Sequence, residues 1–327
     1  MNKLPWRLIF GLGLGVLVLG IASLSVGKVN IPLSVWLDPG HDPRWLIIME
    51  LRIPRAILGM AVGAALGLSG AAMQGYTRNP LADPGVLGVS SMAALGAVAA
   101  LYSGIGYDLP FMVPALAIAG AGIGMSVLLL LSGASESVLT FLLAGVILNI
   151  MGGAAVALAL SLAPSPWAAQ EIINWLMGAL VDRSRNDVGL AIPLITIGAM
   201  VLLGLGRAMD ALTLGEEGAR GLGVNLVRTR LLLVLGVGLC TGASVAVTGV
   251  IGFVGLVVPH LLRPLVGNRP GALLLPSMVA GSALVLAADI LVRVAPTTVE
   301  LKLGVAMSAI GGPFFLALLL RLRRRMA

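Results

Sequence analysis

The sequence predicts an all-α, polytopic integral membrane protein of about ten transmembrane helices with an internal inverted repeat. Three observations predict it. Of the 327 residues, 58% are hydrophobic and only 11% charged, against about 25% charged in soluble domains, and the mean hydropathy is +1.05. Uncharged runs recur along the whole chain, at 8–26, 56–77, 84–107, 109–135, 137–170, 188–206, 231–259, 270–288 and 303–320; about 20 apolar residues are enough to cross a bilayer. The octets GAALGLSG (63–70) and GASVAVTG (242–249) share one pattern, and in the predicted topology they run in opposite directions, as inverted-topology repeats do.

The first run follows Lys3 and Arg7 and has 19 uncharged residues. It is longer than a usual signal-peptide core and reads as an uncleaved first span with a cytoplasmic N-terminus. LRIPR (51–55) then lies outside, with Pro54 suited to the first turn of the next span. That span carries Gly59, Gly63 and Gly67 on one face, which lets helix backbones approach closely. RNPLADPG (78–85) reads as a cytoplasmic turn set by two prolines and Asp83.

Two runs are too long for one helix. In 137–170, Pro164 and Pro166 break the span. The following segment, with Trp167 and Trp175, reads as a short helix at the membrane–water boundary. The 231–259 run, continued by His260, Leu261 and Leu262, would make a single helix of about 48 Å. Glycines 249, 252 and 255 offer a turn. Without that turn, Arg321, Arg323, Arg324 and Arg325 fall outside; with it they fall inside, as the positive-inside rule requires. The chain therefore has ten spans, one transmembrane domain over 1–327 and both termini in the cytoplasm.

The net charge of +7 is read as membrane topology; no aromatic-interleaved basic patch points to nucleic acid. The lone Cys240 excludes an internal disulfide framework and a thiolate cluster. His41 has no metal-ligand neighbours, and His260 and Arg263 end a span as favourable helix C-terminal cations. No metal site is expected. No nucleophile–base pair or Walker A pattern is present, and GLGLG (11–15) lacks the GK[ST] ending. The chain is expected to be no enzyme and to hydrolyse no ATP itself.

One polar island interrupts this pattern. Residues 207–230 form a cytoplasmic loop containing TLGEEGARGLGVNLVRTR (213–230). Helix formers broken at Gly221 and Gly223 predict two short helices and a tight turn, with Glu216 and Glu217 near a helix N-terminus. On residues alone it is either a solvated connector or a docking surface for a cytosolic partner.

Six segments carry a resemblance: RNPLADPGVLGVSS (78–91), WLMGAL (175–180), GEEGARGLGV (215–224), GFVGLVVPHLLR (252–263), AADILVR (287–293) and GGPFFLALLLR (311–321). In this order they resemble the FecCD-type permeases, membrane subunits of type II ATP-binding-cassette importers for iron–siderophores, haem and vitamin B12. The resemblance implies ten spans per subunit, a dimer (a homodimer being the first reading), two cytosolic ATPase subunits that bind ATP and Mg, and a periplasmic binding protein in the bacterial inner membrane setting. It implies ATPase coupling through the island, with Gly215, Glu216, Glu217, Ala219, Arg220, Gly221, Leu222 and Gly223. It implies a cytoplasmic gate around SGASES (132–137), with Ser135, Ser137 and Thr140. It also implies that Arg52, Arg55 and Arg293 meet acidic residues of the binding protein. ELKLG (300–304) departs from the family's usual Glu-Leu-Pro-Val-Gly by Lys302.

The expected cargo is an iron–siderophore, with haem and cobalamin as alternatives. An ion-coupled secondary transporter is the rival class; it needs ionisable residues near mid-membrane, and Asp289 is the one candidate in the sequence. A purely structural membrane subunit is the other rival. Cysteines placed one in 214–228 and one in the C-terminal tail of a Cys240→Ser chain should react with an impermeant maleimide from the same face; labelling from opposite faces overturns this topology.

Overall fold

The computed structural model describes residues 6–32, 35–36, 42–133, 137–296 and 301–326. His41 and Ser135 lie outside them. Among the described residues the regular structure is helical: α1 (Trp6–Ser25), α2 (Arg44–Thr77), α3 (Val89–Tyr102), α4 (Met112–Ser132), α5 (Val138–Ser161), α6 (Pro166–Leu176), α7 (Arg185–Gly204), α8 (Gly206–Leu212), α9 (Gly215–Gly221), α10 (Leu226–Thr248), α11 (Val254–Leu262), α12 (Pro270–Val294) and α13 (Leu303–Met326). Seven of these helices (α1, α2, α4, α5, α7, α10 and α12) are long and apolar enough to cross a membrane, and three shorter apolar helices accompany them.

Local chemistry sets the boundaries. Ser137, Ser165 and Asn225 accept hydrogen bonds from the backbones of Thr140, Ala168 and Arg228 and so cap α5, α6 and α10. Ser184 and Asp187 form a capping box at the start of α7. The 137–170 run divides into α5 and α6, and the 231–259 run breaks between Thr248 and Val254. At that break Gly249 has φ +71 and Phe253 has φ +67, so the helix ends in backbone that glycine adopts at little cost.

Small residues set the packing. Helices α2 and α12 run antiparallel. A Cβ on Gly63 would lie 2.3 Å from the Gly281 carbonyl oxygen, one on Gly67 would lie 2.3 Å from that of Ser277, and Gly75 faces Pro270. Ser282 Oγ donates to the Met60 carbonyl at 2.8 Å. Helices α10 and α4 pair in the same manner, Gly242 against Ala121 and Gly238 against Met125. Close backbone approach through glycine is the membrane route to dispersion contact where no hydrophobic drive brings helices together.

These registers define two ends. At one end the start of α2 (Arg55) meets the end of α12 (Asp289), and the end of α10 meets the segment after α6 through Ala179 N–H to the Thr248 carbonyl, 2.7 Å. At the other end Tyr76 of α2 stacks edge-to-face on Phe141 of α5, ring centroids 5.6 Å apart. There too Arg230, at the start of α10, donates to the Gly133 carbonyl after α4, 3.1 Å. Helix α11 runs down α2 toward this second end: Gly255 abuts Gly70, and Arg263 Nη2 donates to Gln74 Oε1 at 2.5 Å. Helix α13 starts with Gly304 N–H on the Gly178 carbonyl and passes Phe253 and then His260, whose ring stacks on Phe314.

One sequence expectation changes. RNPLADPG does turn at Asp83, but the turn is packed among helices rather than only connecting them. The turn Pro84–Leu87 rests against α5, where a Cβ on Gly145 would lie 2.7 Å from the Val86 carbonyl, and Pro84 packs on Gly255 and so reaches the middle of α2. Gly67→Leu drives a side chain into the Ser277 backbone and should destabilise the protein by about 1–3 kcal/mol. Thermal unfolding in detergent measures it, with Gly13→Leu on the exposed side of α1 as the silent control, because a Cβ there meets nothing within 4 Å.

Candidate functional site

The three arginines expected to dock a binding protein sit together, at the first of the two ends. Arg55 grips Asp289 through Nε and Nη2, with distances of 2.9–3.1 Å. Arg293, one turn on from Asp289, pairs with Asp289 Oδ2 at 3.0 Å, an oxygen it shares with Arg55 Nε. Asp289 is 1% exposed. The remaining donors of Arg293 reach the Ser23 and Val26 carbonyls, each at 2.8 Å, and Ser23 Oγ at 2.6 Å. Arg52, 5% exposed, donates to the carbonyls of Leu24, Ser25 and Val29.

The last carbonyls of α1 have no partner within the helix, and cations near a helix C-terminus are favoured. Arg52 and Arg293 thus clamp the end of α1, a helix that is at most half-buried along most of its length, onto α2 and α12. Gly27 lets the chain pass, since a Cβ there would meet the Arg52 guanidinium at 2.8 Å. The structure therefore gives all three arginines internal partners. The Asp289–Arg293 pair is the local alternative that their four-residue spacing already offers; the bonds to α1 have no such signal, because Ser23 and Arg293 lie 270 positions apart. Together with Lys28 and Asp182 they also line a shallow depression of about 210 Å³ on this end.

At the opposite end lies the polar island. Its two short helices are α8 and α9, joined at Thr213–Leu214. The sequence placed the break at Gly221 and Gly223; instead Gly221 ends α9, and Gly223 (φ +82) leads to the Asn225 cap of α10, so no length remains for a second helix after it. Glu216 and Glu217 occupy the first turn of α9 and Arg220 its last, the polarity that favours its dipole. Ala219 is fully buried and anchors α9, while Leu214 and Leu222, at its two caps, are 67% and 64% exposed. Gly215 (φ +89) adopts the left-handed turn into α9.

Sequence reading missed the attachment of this loop. Asp210 of α8 accepts from Arg269 Nη2 and from the backbone N–H of Gly271, both at 2.8 Å, across the N-terminus of α12. A carboxylate at a helix N-terminus is favoured, and the only sequence signal was an unexplained acid in a basic loop. Of the expected gate residues, Ser137 and Thr140 cap the start of α5. Beside them Arg230, 3% exposed, joins the start of α10 to Gly133. Among the described residues no group of three or more His, Cys, Asp or Glu side chains is placed to hold a metal ion.

Asp289→Asn leaves two mostly buried guanidinium groups without their shared anion. It should cost about 3–5 kcal/mol in thermal unfolding, whereas Glu50→Gln, which breaks the half-exposed Arg185 pair, should cost far less.

Residues 15–321 match the FecCD transport family. The chain is 39% identical over 320 residues to the vitamin B12 import system permease protein BtuC of Klebsiella pneumoniae, covering 98% of this chain and 95% of that one. It is 38% identical over 331 residues to the hemin transport system permease protein HmuU of Yersinia pestis, covering 98% and 97%. It is 38% identical over 323 residues to the ABC transporter permease protein YvrB of Bacillus subtilis, covering 93% and 90%. A solved inward-facing structure described as a metal-chelate type ABC transporter superposes with a TM-score of 0.87 at 29% identity, over 96% of this chain and 99% of that one. These relatives are permease subunits rather than enzymes, and the chain belongs with them to the FecCD transport family as a membrane-spanning permease of an ABC importer.

Proposed function

We propose that this chain is one half of a ten-span-per-subunit permease dimer that imports a metal chelate, an iron–siderophore being the first reading. The relatives named for vitamin B12 and hemin support cobalamin and haem as the alternatives. Two cytosolic ATPase subunits bind ATP and Mg, and a binding protein outside delivers the cargo. The ten spans are the seven long helices with α3, α11 and α13. An inverted repeat is supported by α2 and α10 running in opposite directions while Gly63 on Gly281 and Gly242 on Ala121 make equivalent contacts. The end bearing α9 and both chain termini is cytoplasmic, in the bacterial inner membrane.

The observation that carries the reading is the α8–α9 unit, a compact polar loop with two outward leucines, latched through Asp210 to α12. ATP-driven movement of a partner bound at Leu214 and Leu222 passes by that latch into α12. Helix α12 moves with α2 because their backbones touch, and its far end carries the Arg55–Asp289–Arg293 cluster. Force applied inside therefore reaches the outer rim through packed backbone, as alternating access requires. The gate role of Ser135, Ser137 and Thr140 belongs to this reading, at the junction of α4 and α5.

Docking of the binding protein is proposed at the depression lined by Lys28, Arg52, Arg55 and Arg293, where positive charge steers an acidic partner. Because Arg52 and Arg293 also hold α1 and Arg55 holds Asp289, Lys28→Glu is the cleaner probe; it should slow association of the binding protein most at low salt without changing thermal stability. Leu214→Asp with Leu222→Asp should abolish co-purification of the ATPase while the permease still inserts; undiminished co-purification overturns the coupling assignment. Thermal-shift screening of the cognate binding protein against ferric siderophores, haem and cobalamin identifies the cargo.

A further inference from the structure

A cavity of about 590 Å³ lies at the end bearing Arg55, which is outside in the topology proposed above. It adjoins the shallow depression lined by Lys28, Arg52, Arg55 and Arg293, and Asp182 lines both. The ridge between them is the segment 180–184, which joins α6 to α7. Its backbone is held at several points. Ala179, just before it, donates to the Thr248 carbonyl at 2.7 Å, and Arg183 Nε donates to the Val181 carbonyl at 3.1 Å. The capping box of Ser184 and Asp187 closes it. Asp182, exposed on this ridge, has φ +55, left-handed backbone that aspartate and asparagine enter more readily than most other side chains.

The two depressions differ in charge. Glu171, Asp182 and Asp187 line the cavity, with Arg183 as its one basic side chain. Arg183 lies 4.0 Å from Asp187, so these two offset each other, and Asp187 is already committed to its capping box. Glu171 accepts from the Tyr107 hydroxyl, a neutral donor that leaves the charge of the carboxylate in place. Asp182 makes no hydrogen bond or ion pair with any described residue. Two aromatic rings complete the lining. Trp175 follows Glu171 by one turn on the same face of α6. It packs on the buried cluster of Val98, Leu101 and Ile172, which makes its ring a fixed wall. Phe111, at the N-cap of α4, is 59% exposed and lines the same cavity. Aromatic faces attract ammonium and guanidinium groups, and carboxylates pair with them. The cavity thus offers a cation both kinds of contact.

We propose that this cavity receives a basic side chain, arginine or lysine, of the binding protein, next to the acidic residues that the neighbouring depression takes. The proposal rests on the docking reading above and adds a second contact of opposite sign. A partner that presented only acidic residues to this end would be drawn to Lys28 and repelled by Glu171 and Asp182 at once. A partner with a basic side chain beside its acidic patch satisfies both depressions. Two adjacent contacts of opposite sign also fix the rotation of the partner, because turning it half round sets like charges against each other. A basic side chain inside the cavity is screened by salt less than a charge on the open rim. The bonds that hold the ridge in place before docking reduce the ordering that docking requires.

The test measures binding of the cognate binding protein to the full-length permease in nanodiscs by surface plasmon resonance. Glu171→Gln keeps an acceptor for Tyr107, and Asp182→Asn keeps a residue suited to the left-handed backbone. The double variant therefore removes two charges and should unfold at the wild-type temperature. It should weaken binding about tenfold, mainly through faster dissociation. The sign is decisive: a wholly acidic partner face gains from losing these carboxylates, so tighter or unchanged binding overturns the proposal. Lys28→Glu is measured in parallel. If it slows association while the double variant binds as the wild type does, the docking reading stands and the basic contact falls; if neither changes, both fall. A photo-crosslinking phenylalanine analogue at position 111 gives a readout independent of charge and of the folding of the double variant. Its crosslink should map beside an arginine or lysine on the face of the binding protein that carries the acidic patch. A crosslink to a surface without a basic side chain overturns the proposal.

Discussion

The structure depends on the contact between the backbones of α2 and α12. In a bilayer, lipid tails solvate a helix as well as leucine does, so attraction between helices comes from dispersion and from the polar contacts that close approach allows. Glycines 63, 67 and 281 remove the side chains that would hold the two axes apart, and Ser282 then reaches the Met60 carbonyl. A Cβ at Gly63 or Gly281 would stand within 2.3 Å of the opposing carbonyl oxygen, closer than any relaxation of a side chain could relieve. The pair is therefore stiff, and whatever happens at one end of it is felt at the other.

What each end attaches to gives the stiffness a use. At the end bearing Arg55, one buried carboxylate, Asp289, holds two guanidinium groups, and the spare donors of Arg293, together with Arg52, take up the free carbonyls of α1. An ion pair so far out of water contributes little net stability against an apolar equivalent. Its value lies in geometry, because planar guanidinium forks accept few alternative arrangements. At the opposite end, Asp210 reads the N-terminus of α12 in the same directional way. The loop that carries Leu214 and Leu222 is thus fixed to a rod rather than suspended from flexible connectors.

Much of this was legible in the sequence. The break at Gly249, the separation of α6 from α5 and the glycine face of α2 each follow from local rules about glycine, proline and span length, and the six segments that resemble FecCD-type permeases lie within the matched residues 15–321. The charged residues were harder to read. Positive charge outside the membrane pointed to a partner, yet the partners of Arg52 and Arg293 include carbonyl oxygens of α1. Backbone acceptors carry no sequence signature. Asp83 reads from the sequence as part of a connecting turn because prolines and an aspartate between two apolar runs normally make one. Its true depth depends on Gly145 and Gly255, which leave room for the turn to sink between α5 and α11. Depth of that kind is a property of packing and cannot be read from spacing along the chain.

The break at Gly249 also explains how so apolar a protein retains ordered irregular backbone. Each peptide group that leaves a helix inside a membrane must find another partner. Around Gly249 the partners come from other broken segments: Ala179 donates to Thr248, and Gly304 donates to Gly178. The chain after α6, the chain after α10 and the start of α13 therefore satisfy one another, and none can shift alone without exposing polar groups to an apolar surrounding. A transporter must move between states, and motion confined to whole packed groups of helices keeps these bonds intact. The irregular segments act here as joints that hold helix starts together, and rearrangement is directed instead to the surfaces between groups, where the side chains of α5 and α13 contribute exposed apolar faces.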